Sequence, residues 1–281
     1  MKTTQGKQGL SMQQSCLCEE TEAFQLTHPV FQFEVNSSLF QRYIEELDSQ
    51  VSLFLNLITA HDKSYHKDIQ DFFSYISSNP AVGKPGSTGL GSLFWLFLIA
   101  RSLNPSIIIE SGVFIGSSLH CFRLACQTAQ LYGFDVNLKK LLFQDETIQL
   151  HEKDWSEVNI ATKSDNDLCY FDDHINNGLR IRQAFERGFK NLIFDDVPYI
   201  GDLYKFRYPG LPTVPMIMSD KLKDGDEIKW FHKKTNKHLK YIYHQKDTYG
   251  ARELIEFVKP IPSLSSFISC EVGLQYFVKL K

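Results

Sequence analysis

Apolar positions recur every three or four residues along the first part of the chain. From Ser38 to His61 this spacing predicts one amphipathic helix, because residues three and four apart lie on the same helix face. A second helix is predicted over 67–76, and a third passes through Trp95 after a glycine-rich loop at 79–91. The apolar positions of the first helix are Phe40, Ile44, Leu47, Val51, Phe54 and Ile58.

Residues 107–194 alternate between short apolar runs and helical patterns. Such alternation is typical of a parallel β-sheet with crossover helices. Further on, a helix is predicted over Arg252–Val258, and the β-rich runs Ser263–Cys270 and Leu274–Leu280 predict an antiparallel hairpin. The predicted parallel strands are Ile107–Glu110, Leu131–Asp135, Ile148–His151, Asp167–Phe171 and Asn191–Phe194.

These patterns divide the chain into three parts. We expect a flexible tail over 1–30, an N-terminal helical extension over 31–104 and one α/β domain over 105–281. An insertion around 211–247 is charged and aromatic and has no clean period. The apolar stripe of the extension fits either the helices of the sheet or a homodimer interface, and the sequence does not choose between them.

The composition is that of an ordinary globular protein, which we expect in the cytoplasm. The chain has 281 residues, 43% of them hydrophobic and 22% charged, with a net charge of −3. A net charge of −3 does not indicate a nucleic-acid-binding protein. The most apolar stretch, Leu93–Ala100, is too short to span a bilayer. The N-terminus lacks the apolar core of a signal peptide. Scattered cysteines fit a reduced protein better than a disulfide framework: Cys16, Cys18, Cys121, Cys126, Cys169 and Cys270.

The most informative local pattern is a strand, a glycine turn and a helix over 106–118. The turn has the spacing Glu110-x-Gly112-x-x-x-Gly116. Glycines at such a turn let the backbone N–H groups approach a nucleotide-like ligand, because a Cβ would block both the turn and the ligand.

Three further residues stand where a nucleoside would meet the second and third strands. Asp135 ends the second predicted strand, where a carboxylate can accept hydrogen bonds from both ribose hydroxyls. Asp154 and Trp155 follow the third strand and can meet the amino group and the ring face of an adenine. The structural alternative is that Asp135 caps the next helix and Trp155 fills a surface groove.

Paired acids end the fourth and fifth predicted strands. Asp172-Asp173-His174 and Asp195-Asp196 would reach the same carboxyl edge of the sheet, which is where open α/β folds bind ligands. Carboxylates close together repel one another unless a cation or protons intervene, and such a cluster suits Mg²⁺ or, with a histidine, Mn²⁺ or Fe²⁺. The structural alternative is that these acids cap helices or shape turns.

The alternating units, the closing hairpin and the glycine spacing together resemble class I S-adenosylmethionine (SAM)-dependent methyltransferases. Phe171–His174 and Phe194–Asp196 are similar to the fourth- and fifth-strand motifs of the macrocin O-methyltransferase and cephalosporin hydroxylase-like group. The resemblance covers roughly 106–198. It implies a Rossmann-like class I methyltransferase fold, in which a mostly parallel seven-stranded α/β sheet ends in an antiparallel hairpin.

The resemblance also implies a cofactor, a metal and an activity. SAM would contact Glu110, Gly112, Gly116, Asp135, Asp154 and Trp155. A divalent ion, Mg²⁺ or Mn²⁺, would be held by Asp173, Asp195 and Asp196, with Asp173 and His174 as the catalytic residues. The implied reaction is methyl transfer to an oxygen, or less readily a nitrogen, of a small hydroxylated metabolite. From the net charge and the short apolar stretch we expect no nucleic-acid or membrane partner.

Two other functions remain open from the sequence. One is a metal-dependent hydroxylase-like enzyme on the same scaffold, although a facial triad needs two histidines and one carboxylate, and only His174 lies near the cluster. The other is a non-catalytic protein that uses the SAM-binding fold for binding or interaction.

Overall fold

A computed structural model describes residues 38–59, 63–264 and 274–281 of the chain. The expected tail over 1–30 and three of the cysteines, Cys16, Cys18 and Cys270, lie outside these described residues. Within them, no helix is long and apolar enough to cross a membrane.

Three helices come first, as the apolar spacing predicts. They are α1 (Ser38–Thr59), α2 (His66–Tyr75) and α3 (Leu90–Leu103). Helix α3 is apolar on all sides and almost wholly buried, which is what a helix without a polar face requires. It ends at Asn104, which adopts the left-handed conformation that commonly stops a helix.

In the rest of the described chain, residues 107–194 alternate as predicted, and the five strands there begin and end within about one residue of their expected bounds. The elements are β1 (Ile107–Ser111), α4 (Ser117–Ala125), β2 (Gln130–Asp135), β3 (Ile148–Glu152), β4 (Leu168–Phe171), α5 (Asn177–Glu186), β5 (Asn191–Phe194), α6 (Val214–Ile217), β6 (Glu227–His232), β7 (Lys237–Ile242), α7 (Ala251–Leu254), β8 (Ile255–Pro260) and β9 (Tyr276–Leu280).

The main sheet has seven strands in the order β3-β2-β1-β4-β5-β9-β8. Strands β1 to β5 are parallel, and β9 runs antiparallel to both β5 and β8. This order, with one reversed strand inserted beside β5, confirms the Rossmann-like class I methyltransferase fold with an N-terminal helical part.

Each face of the sheet is covered by helices. Helices α1 to α4 pack on one face, where Phe54 and Trp95 meet edge to face with ring centroids 5.1 Å apart. Helices α5 to α7 cover the other face. Burial of these two apolar layers is the main stabilising contribution, at roughly 25 cal/mol per Å² of apolar surface removed from water.

Two predictions near the C-terminus are wrong in detail. The helix expected over Arg252–Val258 is limited to the four residues of α7, and β8 follows at once because it pairs with β9 at the edge of the sheet. The closing hairpin exists, but its first arm is β8 rather than Ser263–Cys270, most of which lies outside the described residues.

The insertion forms a separate two-stranded antiparallel sheet of β6 and β7.

Candidate functional site

The carboxyl ends of the five parallel strands surround a cavity of about 480 Å³. The loops that follow all five strands contribute to its wall, and the glycine-rich loop before α3 contributes Gly86 and Thr88. Its principal polar residues are Ser111, Ser117, Ser118, Asp135, Lys153, Asp154, Asp172, Asp173, His174 and Asp196. The structure therefore brings most of the residues singled out from the sequence to one edge of the sheet.

The two glycines of the turn after β1 have different surroundings. Gly112 lines the cavity with φ +98°, and an added Cβ would lie 2.9 Å from the backbone nitrogen of Asp173 and would overlap the carbonyl of Asp172. Gly116 begins α4 with φ +85°, and a Cβ there would meet the Phe143 and Leu141 side chains rather than the cavity. Both glycines are required by the backbone, and in each case the close neighbour is protein.

Asp135 lines the cavity from the tip of β2. Its Oδ2 accepts a hydrogen bond from the Phe114 backbone N–H at 2.8 Å, and its Oδ1 accepts one from Asn137 N–H at 2.9 Å. Phe114 has φ +48°, an unusual backbone for a bulky residue. The carboxylate of Asp135 thus fixes a strained turn beside the cavity.

Glu110 lies beneath the cavity rather than in its wall. It is fully buried, and its Oε1 accepts a hydrogen bond from Ser118 at 2.6 Å. Its Oε2 has no partner among the described residues. Burial, together with the negative charges of Asp135 and Asp195, raises the pKa of Glu110 to about 8 although the Ser118 hydrogen bond opposes this. Glu110 could therefore interact with a cofactor in the cavity only indirectly, through Ser118, which lines the cavity.

The interpretation of Trp155 as a cover for an adenine ring does not fit its position. The indole is completely buried among the apolar side chains beneath β4 and does not line the cavity, and the Arg187 guanidinium stacks on it at 4.1 Å. Asp154 does line the cavity, but its carboxylate is paired with Arg180. Burial opposes ionisation of Asp154, yet the hydrogen bonds from Arg180 and Ser156 lower its pKa below the usual value.

Asp172, His174 and Asp196 form the acid–imidazole cluster of the cavity. One ligand atom from each lies within 4.8 Å of the other two, and His174 Nε2 is 4.0 Å from Asp196 Oδ2. His174 and Asp196 have φ +56° and +50°, so both turns hold non-glycine residues in the left-handed region. Backbone strain of this kind is often found at functional sites.

The pKa values of the two cluster carboxylates are raised. Burial is the largest cause for each, and the neighbouring carboxylate of Asp195 adds to it. The pKa of Asp172 lies well above its usual value, and that of Asp196 is about 6 even though His174 opposes the shift. The Asp196 side chain keeps 42% of its surface exposed, so solvent screens part of this repulsion. A cation at this point would relieve the repulsion.

Two of the three predicted metal ligands have other partners. Asp173 Oδ2 accepts hydrogen bonds from Ser111 Oγ at 2.6 Å and from Arg180 Nε at 2.9 Å. Asp195 Oδ2 accepts from the Tyr170 hydroxyl at 2.6 Å and from Gln275 Nε2 at 2.8 Å. The structure therefore groups Asp196 with Asp172 and His174, instead of with Asp173 and Asp195.

The sequence did not lead us to Arg180 or Phe114, and it placed Asp172 in the acid cluster but not among the metal ligands. Arg180 is spaced seven residues after Asp173 and is the only arginine in the first turn of α5, but nothing in its spacing names two carboxylate partners. Asp172 is the first acid of its pair in the sequence. Whether Asp172 or Asp173 joins the cluster depends on the conformation of the turn at His174, which the sequence pattern does not indicate.

A second cavity of about 250 Å³ adjoins the cluster on its other side. It shares Gly86, Thr88, Asp172 and Asp196 with the larger cavity, so these residues form the boundary between the two. The remaining lining residues are Ser87, Gly89, Ser92 and Asp195. Glycine, hydroxyl-bearing and acidic residues thus make up its wall.

Comparison with known proteins finds similarity to solved structures of methyltransferases. No protein-family model matches the chain, and no curated protein matches it either. A structure of CmcI with Mg-SAM is 17% identical over 66% of this chain and 69% of that chain, with a TM-score of 0.40. An SAH-bound methyltransferase from Podospora anserina is 15% identical over 84% of this chain and 96% of that one (TM-score 0.41). The O-methyltransferase from Bacillus cereus in complex with SAH is 10% identical over 85% and 100% (TM-score 0.43).

All three TM-scores are below 0.5, so the fold is assigned from the strand order and directions of this chain. Five parallel strands in the order 3-2-1-4-5, followed by a reversed strand next to β5, define the arrangement. By that arrangement the chain has the class I methyltransferase fold.

Proposed function

We propose that this chain is a SAM-dependent methyltransferase that methylates an oxygen, or less readily a nitrogen, of a small hydroxylated metabolite. The observation that carries the proposal is a single cavity lined by Asp135 and by the cluster of Asp172, His174 and Asp196. A carboxylate at the tip of β2 suits a nucleoside, and the cluster suits an acceptor hydroxyl. The volume of about 480 Å³ is within the usual range for ligand pockets.

Asp135 can bind ribose hydroxyls although both of its oxygens already accept backbone hydrogen bonds. A carboxylate offers about four lone-pair sites, so two remain. The hydrogen bonds from Phe114 and Asn137 hold the carboxylate in one orientation. Phe134 and Val136, on either side of it, give the adjoining wall an apolar character that a nucleobase can contact.

A divalent cation fits the acid–imidazole cluster. Two carboxylates and an imidazole are ligands that Mg²⁺ and Mn²⁺ accept, and the raised pKa values of Asp172 and Asp196 reflect a site that lacks positive charge. When bound, such an ion lowers the pKa of an acceptor hydroxyl and orients it. One histidine with two carboxylates is the reverse of a hydroxylase facial triad, which favours methyl transfer over the hydroxylase alternative.

The acceptor site in this proposal is the second cavity. It adjoins the cluster through Asp172 and Asp196, so an acceptor there would meet a donor in the larger cavity across these two residues. The hydroxyls of Ser87 and Thr88 and the carboxylates offer hydrogen bonds to a hydrophilic molecule. A volume of about 250 Å³ limits that molecule to a small one.

The residues of the cluster would orient the acceptor and take its proton. When bound, SAM would supply an electrophilic methyl group from its positively charged sulfur to the acceptor oxygen. Without an ion in the cluster, His174 Nε2 can accept the hydroxyl proton, and Asp196 Oδ2, 4.0 Å away, stabilises the imidazolium that results. With an ion bound, His174 would be a ligand instead, and the ion would lower the pKa of the hydroxyl so that its proton could leave to solvent. Most of the rate enhancement would come from alignment of the reactants, worth up to ~7–11 kcal/mol in favourable cases.

Calorimetric titration with SAM and with S-adenosylhomocysteine (SAH) tests the donor site. We expect Asp135→Ala to weaken both affinities at least tenfold. Glu152→Ala is the matched control, because Glu152 pairs with Asp135 in register at the tip of β3 and is exposed outside the cavity. Thermal melting of each variant controls for folding. Failure of the native chain to bind SAM or SAH, with or without Mg²⁺ or Mn²⁺, would refute the proposal.

A further inference from the structure

The hairpin of β6 and β7 has a charge opposite to that of the whole chain. Its strands pair antiparallel from Glu227↔Ile242 to His232↔Lys237. The segment between these ends contains one acid, Glu227, and five lysines, whereas the net charge of the chain is −3. The lysines are Lys229, Lys233, Lys234, Lys237 and Lys240. Positive charge is therefore concentrated on this one element.

One face of the hairpin is attached to the body of the protein. Ile228, Trp230 and Tyr241 are half-buried on that face, and the Trp230 indole N–H donates to the Phe206 carbonyl at 3.1 Å. Phe206 follows a short 3-10 helix, Ile200–Lys205, that begins six residues after β5. Since successive side chains of a strand alternate between faces, the other face points away from the body.

That outward face carries cations and an exposed ring. Lys229 and Lys240 are opposite each other in register, with 71% and 52% of their side chains exposed. Phe231 is 39% exposed, and its ring centroid lies 4.9 Å from that of His238 on the facing strand. We call these four residues, with Lys233 and Lys234 of the turn and Lys237, the basic aromatic face. Lys237 begins β7 opposite His232, on the attached side by register, but it is exposed next to the turn.

Most of this charge is not neutralised within the chain. Glu227 contacts both Lys229 and Lys240, the latter at 3.0 Å, so one acid serves two cations that repel each other across the strands. Lys233, Lys234 and Lys237 have no acidic partner in the ranges 38–59, 63–264 and 274–281. An external polyanion would offset this repulsion.

Exposed aromatic rings also lie in the segment that adjoins the hairpin. Tyr204 and Tyr208 are 52% and 64% exposed, and each has a cation over its ring: Lys205 at 5.7 Å and Arg207 at 4.6 Å. These residues belong to the segment that packs against β6. The combination of flat rings with interleaved cations extends beyond the two strands.

From this combination we infer that the basic aromatic face binds a single strand of nucleic acid. Lysines contact the phosphates, and exposed rings stack with unpaired bases, which is how proteins hold single strands without sequence preference. A membrane surface fits less well, because the tip of the hairpin is Lys233-Lys234-Thr235-Asn236 and has no apolar residue to enter a bilayer. We expected no nucleic-acid partner because the net charge of the whole chain is −3. That sum does not show that positive charge is concentrated on the hairpin.

The test is binding of the full chain to a fluorescein-labelled single-stranded RNA, and to DNA of the same sequence, at several KCl concentrations. We expect binding that weakens with salt. Lys233→Gln/Lys234→Gln/Lys237→Gln should weaken it at least tenfold and reduce the slope of log affinity against log salt by about 2, at roughly 0.7 per lost phosphate contact. Phe231→Ala, which leaves every charge in place, should weaken binding about tenfold through lost stacking.

The matched control is Lys139→Gln/Lys163→Gln/Lys259→Gln, which removes the same charge from exposed lysines at three other places in the chain. It should leave the affinity within twofold of the native value. Circular dichroism and melting of each variant establish that the fold is kept. The inference is overturned by an equal loss in the two triple variants, or by absence of binding at low salt. Tighter binding to phosphatidylserine vesicles or to polyglutamate than to the oligonucleotides would also overturn it.

Discussion

The guanidinium of Arg180 joins Asp173 to Asp154, two carboxylates that follow different strands. Nε donates to Asp173 Oδ2 at 2.9 Å, Nη2 lies 2.7 Å from the same oxygen, and Nη1 donates to Asp154 Oδ1 at 3.1 Å. Because Ser111 at the end of β1 also donates to Asp173, the network ties three strand ends to α5. The Arg180 side chain is 1% exposed, so burial disfavours its charge, but the two carboxylates raise its pKa and keep it ionised.

Arg180→Met should therefore destabilise the fold strongly. Removing the cation leaves the mostly buried carboxylate of Asp173 without its charge partner, and breaking a buried ion pair typically costs about 3–5 kcal/mol. Urea unfolding measures the change. Arg182→Met is the control, because Arg182 is on the same helix, is 40% exposed and makes only a 3.9 Å contact with Glu186 and a 3.1 Å hydrogen bond to the Tyr249 carbonyl among the described residues; it should cost no more than about 1.5 kcal/mol. Similar losses in both variants would contradict a structural role for Arg180.

Gly112→Ala should also lower stability, by at least about 2 kcal/mol. A non-glycine residue at φ +98° is strained, and the added Cβ would overlap the backbone of Asp172. Gly201→Ala is the control, because no heavy atom lies within 4 Å of a Cβ at Gly201; its free energy of unfolding should change by less than about 0.5 kcal/mol. If Gly112→Ala melts like Gly201→Ala, the backbone requirement is wrong. Because the added Cβ would displace protein backbone, loss of SAM binding in a Gly112 variant would reflect damage to the fold. Variants of Asp135 are therefore the better test of the SAM site.

The fold could be predicted from the sequence wherever a hydrophobic repeat or an apolar run was clear. Helix α1 has six buried positions at three- and four-residue spacing, and β1, β4 and β5 are buried, mostly apolar runs between polar turns. The segment Arg252–Val258 was ambiguous because seven residues fit both a helical period and a strand. Pairing with β9 decided between them, and that pairing joins residues from Ile255↔Leu280 to Pro260↔Tyr276, which are far apart along the chain.

The candidate site could be predicted only to the level of the strand ends. Parallel strands deliver Asp135, Asp172 and Asp196 to one edge whatever the details of their turns. Which acid of each pair joins His174 in the cluster depends on turns in which His174 and Asp196 have positive φ, and no pattern in the sequence indicates those angles. The partners of Asp173 and Asp195 come from α5, β4 and the start of the last strand, so they could not be assigned before the chain was folded.

Paired variants can distinguish two sets of metal ligands. One is Asp172, His174 and Asp196, which lie together in the structure, and the other is the set predicted from the sequence, Asp173, Asp195 and Asp196. On our proposal, Asp196→Asn should weaken Mn²⁺ binding at least tenfold, since the cluster loses one of two charged ligands. Asp195→Asn should keep Mn²⁺ affinity within about threefold, and should lower the free energy of unfolding by about 1–2 kcal/mol because charged hydrogen bonds from Tyr170 and Gln275 become neutral. Calorimetry with Mn²⁺ and urea unfolding give the two quantities. Loss of Mn²⁺ binding in Asp195→Asn would instead support the set of Asp173, Asp195 and Asp196.

Glu110 should make stability depend on pH. Burial raises its pKa from 4.5 to about 8, so between these values the folded chain holds a proton that the unfolded chain has released. The stabilisation is complete below pH 4.5 and is lost as the pH rises through 8, at up to ~1.4 kcal/mol per pH unit. Glu110→Gln keeps a neutral side chain that can still accept the Ser118 hydrogen bond, so the variant should gain stability relative to the native chain from pH 5 to 8. Urea unfolding at pH 5, 6.5 and 8 measures the gain, and Glu152→Gln, exposed at the tip of β3, should follow the native curve. A constant difference between Glu110→Gln and the native chain at all three pH values would mean that Glu110 is already ionised in the fold.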